Sequence, residues 1–301
     1  MAGPARKTSP ALTGIALLVA AMACFAALDT TTKRISLSVP ILMALWFRYA
    51  FQAVATTVVM LPARGRTLFR TAHPKFQLLR GVLLLTSSGL AFFSLKYMPV
   101  GEFTAIIMIT PLVITLLASL QLGERVPTLR WALVLGGFAG ALIIIRPGSS
   151  GFDWTLLLPL SLVVSNAWFQ ILTSRLARTE DPGTMHFYTG WVGTLIASLA
   201  LPFVWTSLDS WVLWACLCLM GFLGAVGHFM MILAYARTTA STLTPFLYAQ
   251  IGFAMLGGWL IFSHVPDQWS LLGIAMITVC GATGAWLAVR ESRIVIEPTE
   301  S

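Results

Sequence analysis

Charged side chains are scarce in this sequence of 301 residues, and acidic side chains are the scarcest. Asp, Glu, Lys and Arg together make up 10% of the chain, with only 11 acidic residues, whereas a soluble domain carries about 25% charged residues. Hydrophobic residues make up 57% of the chain, and the mean hydropathy is +0.85. This composition excludes a water-soluble globular protein and predicts a protein of the lipid bilayer.

Cysteine, histidine and the common catalytic motifs are also in short supply. The four cysteines lie inside apolar stretches without a CxxC spacing, and we interpret them as packing residues. The four histidines are spread over separate segments, and the sequence has no HExxH motif, nucleophile elbow or phosphate-binding loop. The sequence therefore predicts no enzymatic activity, no cofactor, no bound metal and no direct use of ATP.

Long apolar runs are abundant. A helix needs about 20 residues to cross the roughly 30 Å of hydrocarbon in a bilayer, and ten segments approach or exceed this length. They are Ala11–Thr32, Pro40–Pro62, Leu78–Tyr97, Val100–Leu122, Trp131–Ile145, Trp154–Leu176, Met185–Trp205, Trp211–Ala236, Ser241–Phe262 and Trp269–Val289. The first run is longer than a signal-peptide core, so we interpret it as a retained helix.

Basic residues predict the orientation in the membrane. With the N-terminus inside, fourteen Lys and Arg residues fall in cytoplasmic segments and four on the other side. This bias follows the positive-inside rule and places both termini in the cytoplasm. The charges are spread over short turns, which favours contact with anionic lipid headgroups over nucleic-acid binding.

An internal repeat relates the two halves of the chain. The tract Ala105–Leu122, followed by Val126-Pro127, is similar to Phe246–Ile261, followed by Val265-Pro266, at an offset of roughly 140 residues. Five helices per repeat is an odd number, so the second repeat enters the bilayer with inverted orientation, as in many carriers. We predict an all-α protein with ten transmembrane helices in two inverted five-helix repeats. The predicted domains are residues 1–147 and 153–290, followed by a cytoplasmic tail at 291–301.

Several short motifs resemble one family. They are Trp46-Phe47-Arg48-Tyr49, Leu79-Arg80-Gly81, Ser94-Leu95-Lys96-Tyr97-Met98-Pro99, Thr110-Pro111 and Leu122-Gly123-Glu124-Arg125. Their order and spacing resemble the EamA-type ten-helix transporters of the drug/metabolite transporter superfamily, and in particular its bacterial exporters of aromatic amino acids. The second half departs from the pattern, with Ile251 in place of a mid-helix proline and His264 or Ser263 in place of a glutamate.

The resemblance implies a basket of helices around a central cavity in the bacterial inner membrane. Helices one, three, four, six, eight and nine line this cavity, and helices five and ten lie outside. Helices five and ten are rich in glycine and alanine, which allows close packing within the chain or, alternatively, between two copies. We expect a monomer in the lipid bilayer, with no obligatory protein partner and no nucleic acid.

Of the charged residues within the predicted spans, three that lie in the outer third of the membrane are functional candidates: Asp29, Arg48 and Glu102. Charges inside a membrane are unfavourable and mark functional sites by default. Arg48 can pair with Asp29 or Glu102 for structural reasons, or these residues can serve as a gate or in proton-linked transport. Pro111 and Pro245 predict kinks in helices four and nine, either as hinges or as static bends.

Polar residues at mid-depth are the substrate-binding candidates. Asn166 and Gln170 share one helix face, and Trp168, near the centre of its span, is predicted to face inward because lipid-facing tryptophans gather at the interfaces. The other candidates are Ser87, Phe103, His228, Thr244 and Tyr248. For each of them, hydrogen bonding or packing between helices is the alternative interpretation.

The predicted function is export of amino acids, aromatic and other, by alternating access through the central cavity. The mixture of hydroxyl, amide and aromatic side chains suits a small zwitterion with a variable side chain. The alternatives are a carrier of another small metabolite or drug, and an intramembrane enzyme or sensor. Energy coupling stays open between facilitated transport and proton antiport, in which His228 is the candidate proton carrier.

Overall fold

The computed structural model describes residues 10–35, 38–97, 106–145, 156–262 and 267–294. Within these ranges the chain forms helices joined by turns, without a strand. The helices are α1 (Pro10–Ile35), α2 (Ile41–Arg64), α3 (Pro74–Tyr97), α4 (Thr110–Gln121), α5 (Thr128–Ile145), α6 (Leu157–Leu176), α7 (Pro182–Ser198), α8 (Trp211–Tyr235), α9 (Ala240–Leu247), α10 (Ala249–Phe262) and α11 (Gln268–Ile294). A short 3₁₀ turn at Gly65–Phe69 follows α2, and a helical turn at Leu201–Val204 follows α7.

The described residues contain seven segments long and apolar enough to cross a membrane. They are α1, α2 with its 3₁₀ turn, α3, α6, α8, the pair α9 and α10, and α11. The other three predicted spans correspond to the shorter helices α4, α5 and α7, with α4 and α5 of apolar composition. The predicted class is confirmed: the chain is an all-α, multi-pass membrane protein.

Helix ends differ from the predicted spans at several places. The seventh span was expected to reach Trp205, but α7 ends at Ser198, because Pro202 has no backbone N–H to donate to the Ser198 carbonyl. The fourth span was expected to begin at Val100, but residues 98–105 lie outside the described part. The ninth span is divided in two at Tyr248.

Helix packing repeats between the two halves of the chain. Helix α1 packs on α8, and α6 packs on α3. These two contacts correspond to each other, because α6 and α8 are the helices five spans after α1 and α3. Helices α2 and α7 pack on each other, as do α5 and α11, across the relation between the halves. The predicted boundaries at 147 and 153 lie outside the described residues, so they remain predictions.

The small residues of α5 and α11 face each other within the chain. A Cβ added at Gly273 would lie 2.5 Å from the carbonyl oxygen of Gly140, and one added at Gly136 would lie 2.8 Å from the sulfur of Cys280. No side chain larger than hydrogen fits at such a contact. These glycines therefore allow close packing between α5 and α11 within one chain. This is the first of the two alternatives given above; the second was packing between two copies.

Proline marks a break in both helices that were expected to bend. Pro111 is the second residue of α4, directly after a turn at 108–109, so it starts this helix and does not kink its interior. Pro245 lies inside α9, where it cannot donate to the carbonyl of Ser241; the hydroxyl of Thr244 donates to that oxygen at 3.0 Å. The Tyr248 hydroxyl donates to the Met108 carbonyl at 3.2 Å, so the two breaks contact each other.

Candidate functional site

Arg48 enters the bundle from α2 and bonds side chains of two other helices. Its Nη2 lies 2.8 Å from Nε2 of His228 on α8, and its Nη1 lies 3.5 Å from Oγ of Ser88 on α3. The Ser88 hydroxyl also lies 3.1 Å from the hydroxyl of Tyr49. Three helices are therefore joined by one polar group inside the membrane-spanning region.

Aromatic rings enclose the imidazole of His228. The ring centroid of Phe25, on α1, lies 4.7 Å from that of His228, and the centroid of Phe169, on α6, lies 6.0 Å away at nearly a right angle. Only 6% of His228 is exposed. We call Arg48, Ser88, His228, Phe25 and Phe169 the Arg48 cluster: hydrogen-bonding groups beside apolar rings, in which Arg48 and Phe25 are partly exposed and the other three are buried.

Glycines on α8 make room for this cluster. A Cβ added at Gly224 would lie 3.0 Å from Nε of Arg48 and 3.2 Å from Cδ1 of Leu28. A Cβ at Gly227 would lie 2.7 Å from the ring of Phe25. The missing side chains let Arg48 and Phe25 lie directly against the α8 backbone, one turn apart.

A second polar group lies on the neighbouring face of α6. The amide nitrogen of Gln170 donates to Oδ1 of Asn166 at 2.6 Å, and the hydroxyl of Tyr235, on α8, donates to Oε1 of Gln170 at 2.6 Å. Gln170 is buried and Asn166 is partly exposed. These two candidates therefore lie together, between α6 and α8, in the same pair of helices that carries Phe169 and His228.

Trp168 points elsewhere, which corrects the expected inward orientation. It is 42% exposed and shares its helix face with Leu160 and Val164, which are 41% and 53% exposed. On a helix of 3.6 residues per turn, Asn166 lies on nearly the opposite face from Trp168. The depth of a tryptophan in its span did not reveal its direction.

Asp29 and Arg48 do not form the expected direct pair. The carboxylate of Asp29 accepts a hydrogen bond from Nε2 of Gln250, on α10, at 2.8 Å, while Arg48 bonds His228 and Ser88. Among the described residues, a histidine and a serine therefore bond Arg48 in place of Asp29. The candidates Glu102 and Phe103 lie outside the described residues.

Three further candidates have protein partners that tie helices together. Ser87 donates to the Leu83 carbonyl at 2.7 Å and lies 3.0 Å from Oγ of Ser165. Thr244, fully buried, accepts from the hydroxyl of Thr115 on α4 at 3.0 Å. Tyr248, also fully buried, bonds Met108 as described above. Their hydrogen bonds favour the helix-packing alternative for Ser87, Thr244 and Tyr248.

Sequence reasoning missed a second intramembrane arginine as a structural centre. Arg80, on α3, is fully buried. Its guanidinium donates to the backbone carbonyl of Met185 and to the hydroxyl of Thr189, both on α7, and lies 3.5 Å from Oγ1 of Thr173 on α6. We call Arg80 and these three partners the Arg80 cluster. The adjacent Gly81, which allows α3 to approach Val192 of α7, was the available sequence signal.

Glu124 joins three segments at the end of the bundle that carries most basic residues. It follows Gly123, whose φ of +63° is readily adopted only by glycine. The Glu124 carboxylate accepts from Arg178 at 2.7 Å and from the backbone N–H groups of Ala240 and Ser241, at the start of α9, at 3.3 and 3.0 Å. We call this set of contacts the Glu124 node.

Two more ion pairs lie at the same end of the bundle. Arg64, at the end of α2, pairs with Asp181, which caps α7 by accepting from the Thr184 N–H at 3.0 Å. Arg130, on α5, pairs with Glu291 of α11. Together with the Glu124 node, these pairs connect segments from both halves of the chain.

The fold and these polar groups define a class of protein. A multi-pass helical bundle with buried, hydrogen-bonded polar groups between its halves is the arrangement of secondary transporters. The EamA-like transporter family model matches residues 12–146. The chain belongs to this family of the drug/metabolite transporter superfamily, and it is a transporter of small molecules and not an enzyme.

Curated relatives cover nearly the whole chain. Two proteins named "Riboflavin transporter" are each 31% identical: one from Rhizobium johnstonii over 279 residues, 90% of both chains, and one from Vibrio cholerae over 246 residues, 80% of this chain and 82% of the relative. An "S-adenosylmethionine uptake transporter" from Rickettsia conorii is 24% identical over 269 residues, 88% of this chain and 90% of the relative. These names favour the alternative of another metabolite over the expected amino acids.

A solved crystal structure of another protein has the same fold. It superposes with a TM-score of 0.76 over 93% of this chain and 98% of that chain, at 19% sequence identity. At this identity the match shows the fold alone.

Proposed function

We propose that this protein carries a small, flat heteroaromatic metabolite, riboflavin or a close derivative, across the bacterial inner membrane. The observation that carries the proposal is the Arg48 cluster, where N–H donors lie beside phenylalanine rings in a buried position between α1, α2, α6 and α8. The 31% identity to two proteins named as riboflavin transporters supports it.

The chemistry of the cluster suits such a substrate. The ring system of riboflavin is planar, with carbonyl oxygens and ring nitrogens that accept hydrogen bonds along its edge. Arginine and histidine supply donors for those atoms, and phenylalanine rings pack favourably against the faces of a flat aromatic ligand. Apolar walls with a few placed polar groups are typical of small-molecule sites.

An amino acid fits this site less well. Its carboxylate suits Arg48, but its ammonium group needs an acidic or carbonyl acceptor nearby. Asp29 is the acidic candidate on α1, and it already accepts a hydrogen bond from Gln250. The proposed substrate therefore differs from the amino acids that the sequence resemblance suggested.

S-adenosylmethionine is the second candidate, and the position of Asp29 favours it. Asp29 lies four residues after Phe25 on α1, so the two share one helix face. A carboxylate there can attract the sulfonium charge of S-adenosylmethionine while Phe25 packs against its adenine ring. The relative of this name, at 24% identity, supports this second proposal.

Alternating access is the proposed mechanism, with the Glu124 node as the closed gate. If the basic end of the bundle is cytoplasmic, as the positive-inside rule predicts, substrate reaches the cytoplasm only after Arg178 and the start of α9 separate from Glu124. The contacting breaks at Met108 and Tyr248 are candidate hinges. We propose facilitated transport, so that the metabolite gradient sets the direction.

Counterflow in proteoliposomes tests the proposal. Vesicles preloaded with unlabelled riboflavin should accumulate labelled riboflavin, while vesicles preloaded with a mixture of amino acids should not accumulate labelled phenylalanine, threonine or tryptophan. Labelled S-adenosylmethionine forms the third arm. Accumulation of an amino acid without riboflavin would reject the proposal and restore the original expectation.

A further inference from the structure

We infer that His228 is a substrate-recognition residue that offers its Nδ1–H as a hydrogen-bond donor, and that Arg48 holds the imidazole in the tautomer that makes this possible. The inference rests on the proposed function and sharpens it, because it assigns the protonation state of the site and the type of atom that the substrate must present.

The contact with Arg48 fixes which nitrogen carries the proton. A guanidinium group has N–H donors and no acceptor. Since Nη2 of Arg48 lies 2.8 Å from Nε2 of His228, Nε2 must be the acceptor and carry no hydrogen. A neutral imidazole then carries its single proton on Nδ1. A doubly protonated ring would place two N–H groups and two positive charges against each other at this distance.

The Nδ1–H group is buried and unused. Among the described residues, Nδ1 of His228 has no hydrogen-bond partner, although only 6% of the residue is exposed. It is one of several such buried atoms, and Nε of Arg48, in the same cluster, is another. Buried polar groups in folded proteins are nearly always paired, so an unpaired one calls for a specific explanation. A bound substrate with an acceptor atom at this position supplies the missing partner.

The rings beside His228 define the kind of acceptor. Phe25 is tilted by 53° against the imidazole, and Phe169 stands nearly perpendicular to it. Such apolar surroundings suit an uncharged carbonyl oxygen or ring nitrogen at the edge of a flat ligand. A carboxylate would instead compete for Arg48 and break the contact that sets the tautomer. The site therefore selects neutral acceptors over carboxylates.

Nitrogen-15 NMR of histidine side chains tests the tautomer directly. The chain has four histidines, and the spectrum of a His228→Gln variant identifies the signal of His228 by its disappearance. The expected pattern for the wild type is a neutral ring protonated at Nδ1, and Arg48→Leu should abolish this preference, whereas Arg48→Lys, which keeps a donor, should retain it. A His228 ring that is charged, or protonated at Nε2, overturns the inference whatever the substrate is.

Riboflavin binding tests the recognition role. The dissociation constant of purified protein, measured from the quenching of riboflavin fluorescence, should rise about tenfold in His228→Leu, which is the effect expected for one lost hydrogen bond. His228→Gln keeps an N–H donor and should lose less than about threefold on the same scale. His73→Leu, at the basic end of the bundle, is the matched control and should bind as the wild type does.

The outcomes separate the two proposals. Equal affinity of His228→Leu and the wild type overturns the inference while the proposed function stands, and it leaves the Nδ1–H as a packing contact with the phenylalanine rings. If the wild type binds no riboflavin, the proposed substrate fails, and the NMR pattern still decides whether His228 presents the donor.

Discussion

Arg48 and Arg80 both lie within membrane-spanning helices, and the contacts of their guanidinium groups differ. Arg80 is fully buried, and its guanidinium is held by a carbonyl and hydroxyls of α6 and α7. Arg48 is bonded to His228, whose second ring nitrogen has no partner among the described residues. In both clusters the Nε of the arginine is buried without a hydrogen-bond partner among the described residues; what distinguishes the Arg48 cluster is that its histidine also has an unused ring nitrogen.

From this difference we propose a structural role for Arg80 and a substrate-binding role for Arg48. A buried cation whose donors meet fixed neutral acceptors positions the helices around it, because removing it leaves those contacts unmade. Arg48 is partly exposed and contacts a second, incompletely bonded side chain, which is why we propose a ligand site there. Both residues belong to family-like motifs, so the contrast between them comes from their contacts and not from the motifs.

Loss of Arg80 should have the largest effect on stability. Arg80→Leu removes the hydrogen bonds that connect α3 with α6 and α7, and hydrogen bonds to a charged group contribute about 1.5–3 kcal/mol each. The expected result is a protein that is poorly expressed or strongly destabilised in detergent, as measured by thermal unfolding. Arg48→Leu is the comparison: it should fold better than Arg80→Leu and fail to transport.

Two glycine substitutions sharpen the same contrast. Gly81→Ala places a Cβ 2.6 Å from Cβ of Val192, beside the Arg80 cluster, where neither backbone can move easily. Such overpacking should lower stability by about 1–3 kcal/mol. Gly224→Ala places a Cβ 3.0 Å from Nε of Arg48, which can shift, so the melting temperature should change little while counterflow falls severalfold. Equal losses of stability in both variants would contradict a structural role for the Arg80 cluster and a substrate-binding role for the Arg48 cluster.

The Glu124 node should control opening at its end of the bundle more than it controls stability. Glu124→Gln keeps an acceptor for the N–H groups of Ala240 and Ser241 but loses the ion pair with Arg178. We expect a loss of about 1 kcal/mol or less, because the Arg178 side chain is 46% exposed and the backbone contacts of Glu124 remain, together with faster alkylation of a cysteine introduced at Thr239. Asp181→Asn, which breaks the exposed pair with Arg64, should leave that alkylation rate unchanged.

Trp168 should have the smallest effect. Trp168→Ala removes a large side chain from a face shared with exposed leucine and valine, away from the Arg48 cluster. Counterflow of riboflavin should stay within about twofold of the wild type, a difference well under 1 kcal/mol. A loss of transport at normal expression would return Trp168 to the substrate path.

The sequence predicted the helical class and the repeat because both depend on composition and periodicity. It also placed His228, Asn166 and Gln170 among the site candidates, since polar residues in an apolar span are conspicuous. It did not predict the partner of Arg48, because a histidine 180 positions away leaves no local pattern. Trp168 was misplaced for a similar reason: depth along a helix is readable from sequence, but the direction of its face depends on the packing of neighbouring helices.

The affinity for riboflavin of Arg48→Gln and Arg80→Lys, measured on folded, monodisperse protein, shows whether the Arg48 cluster binds the substrate. We expect Arg48→Gln to bind riboflavin at least about tenfold more weakly than the wild type, because the glutamine side chain is shorter and uncharged and its amide does not reach Nε2 of His228. Arg80→Lys, once folded, should bind as the wild type does. Unchanged affinity in Arg48→Gln, or an equal loss in both variants, would contradict the assignment of the Arg48 cluster as the substrate site.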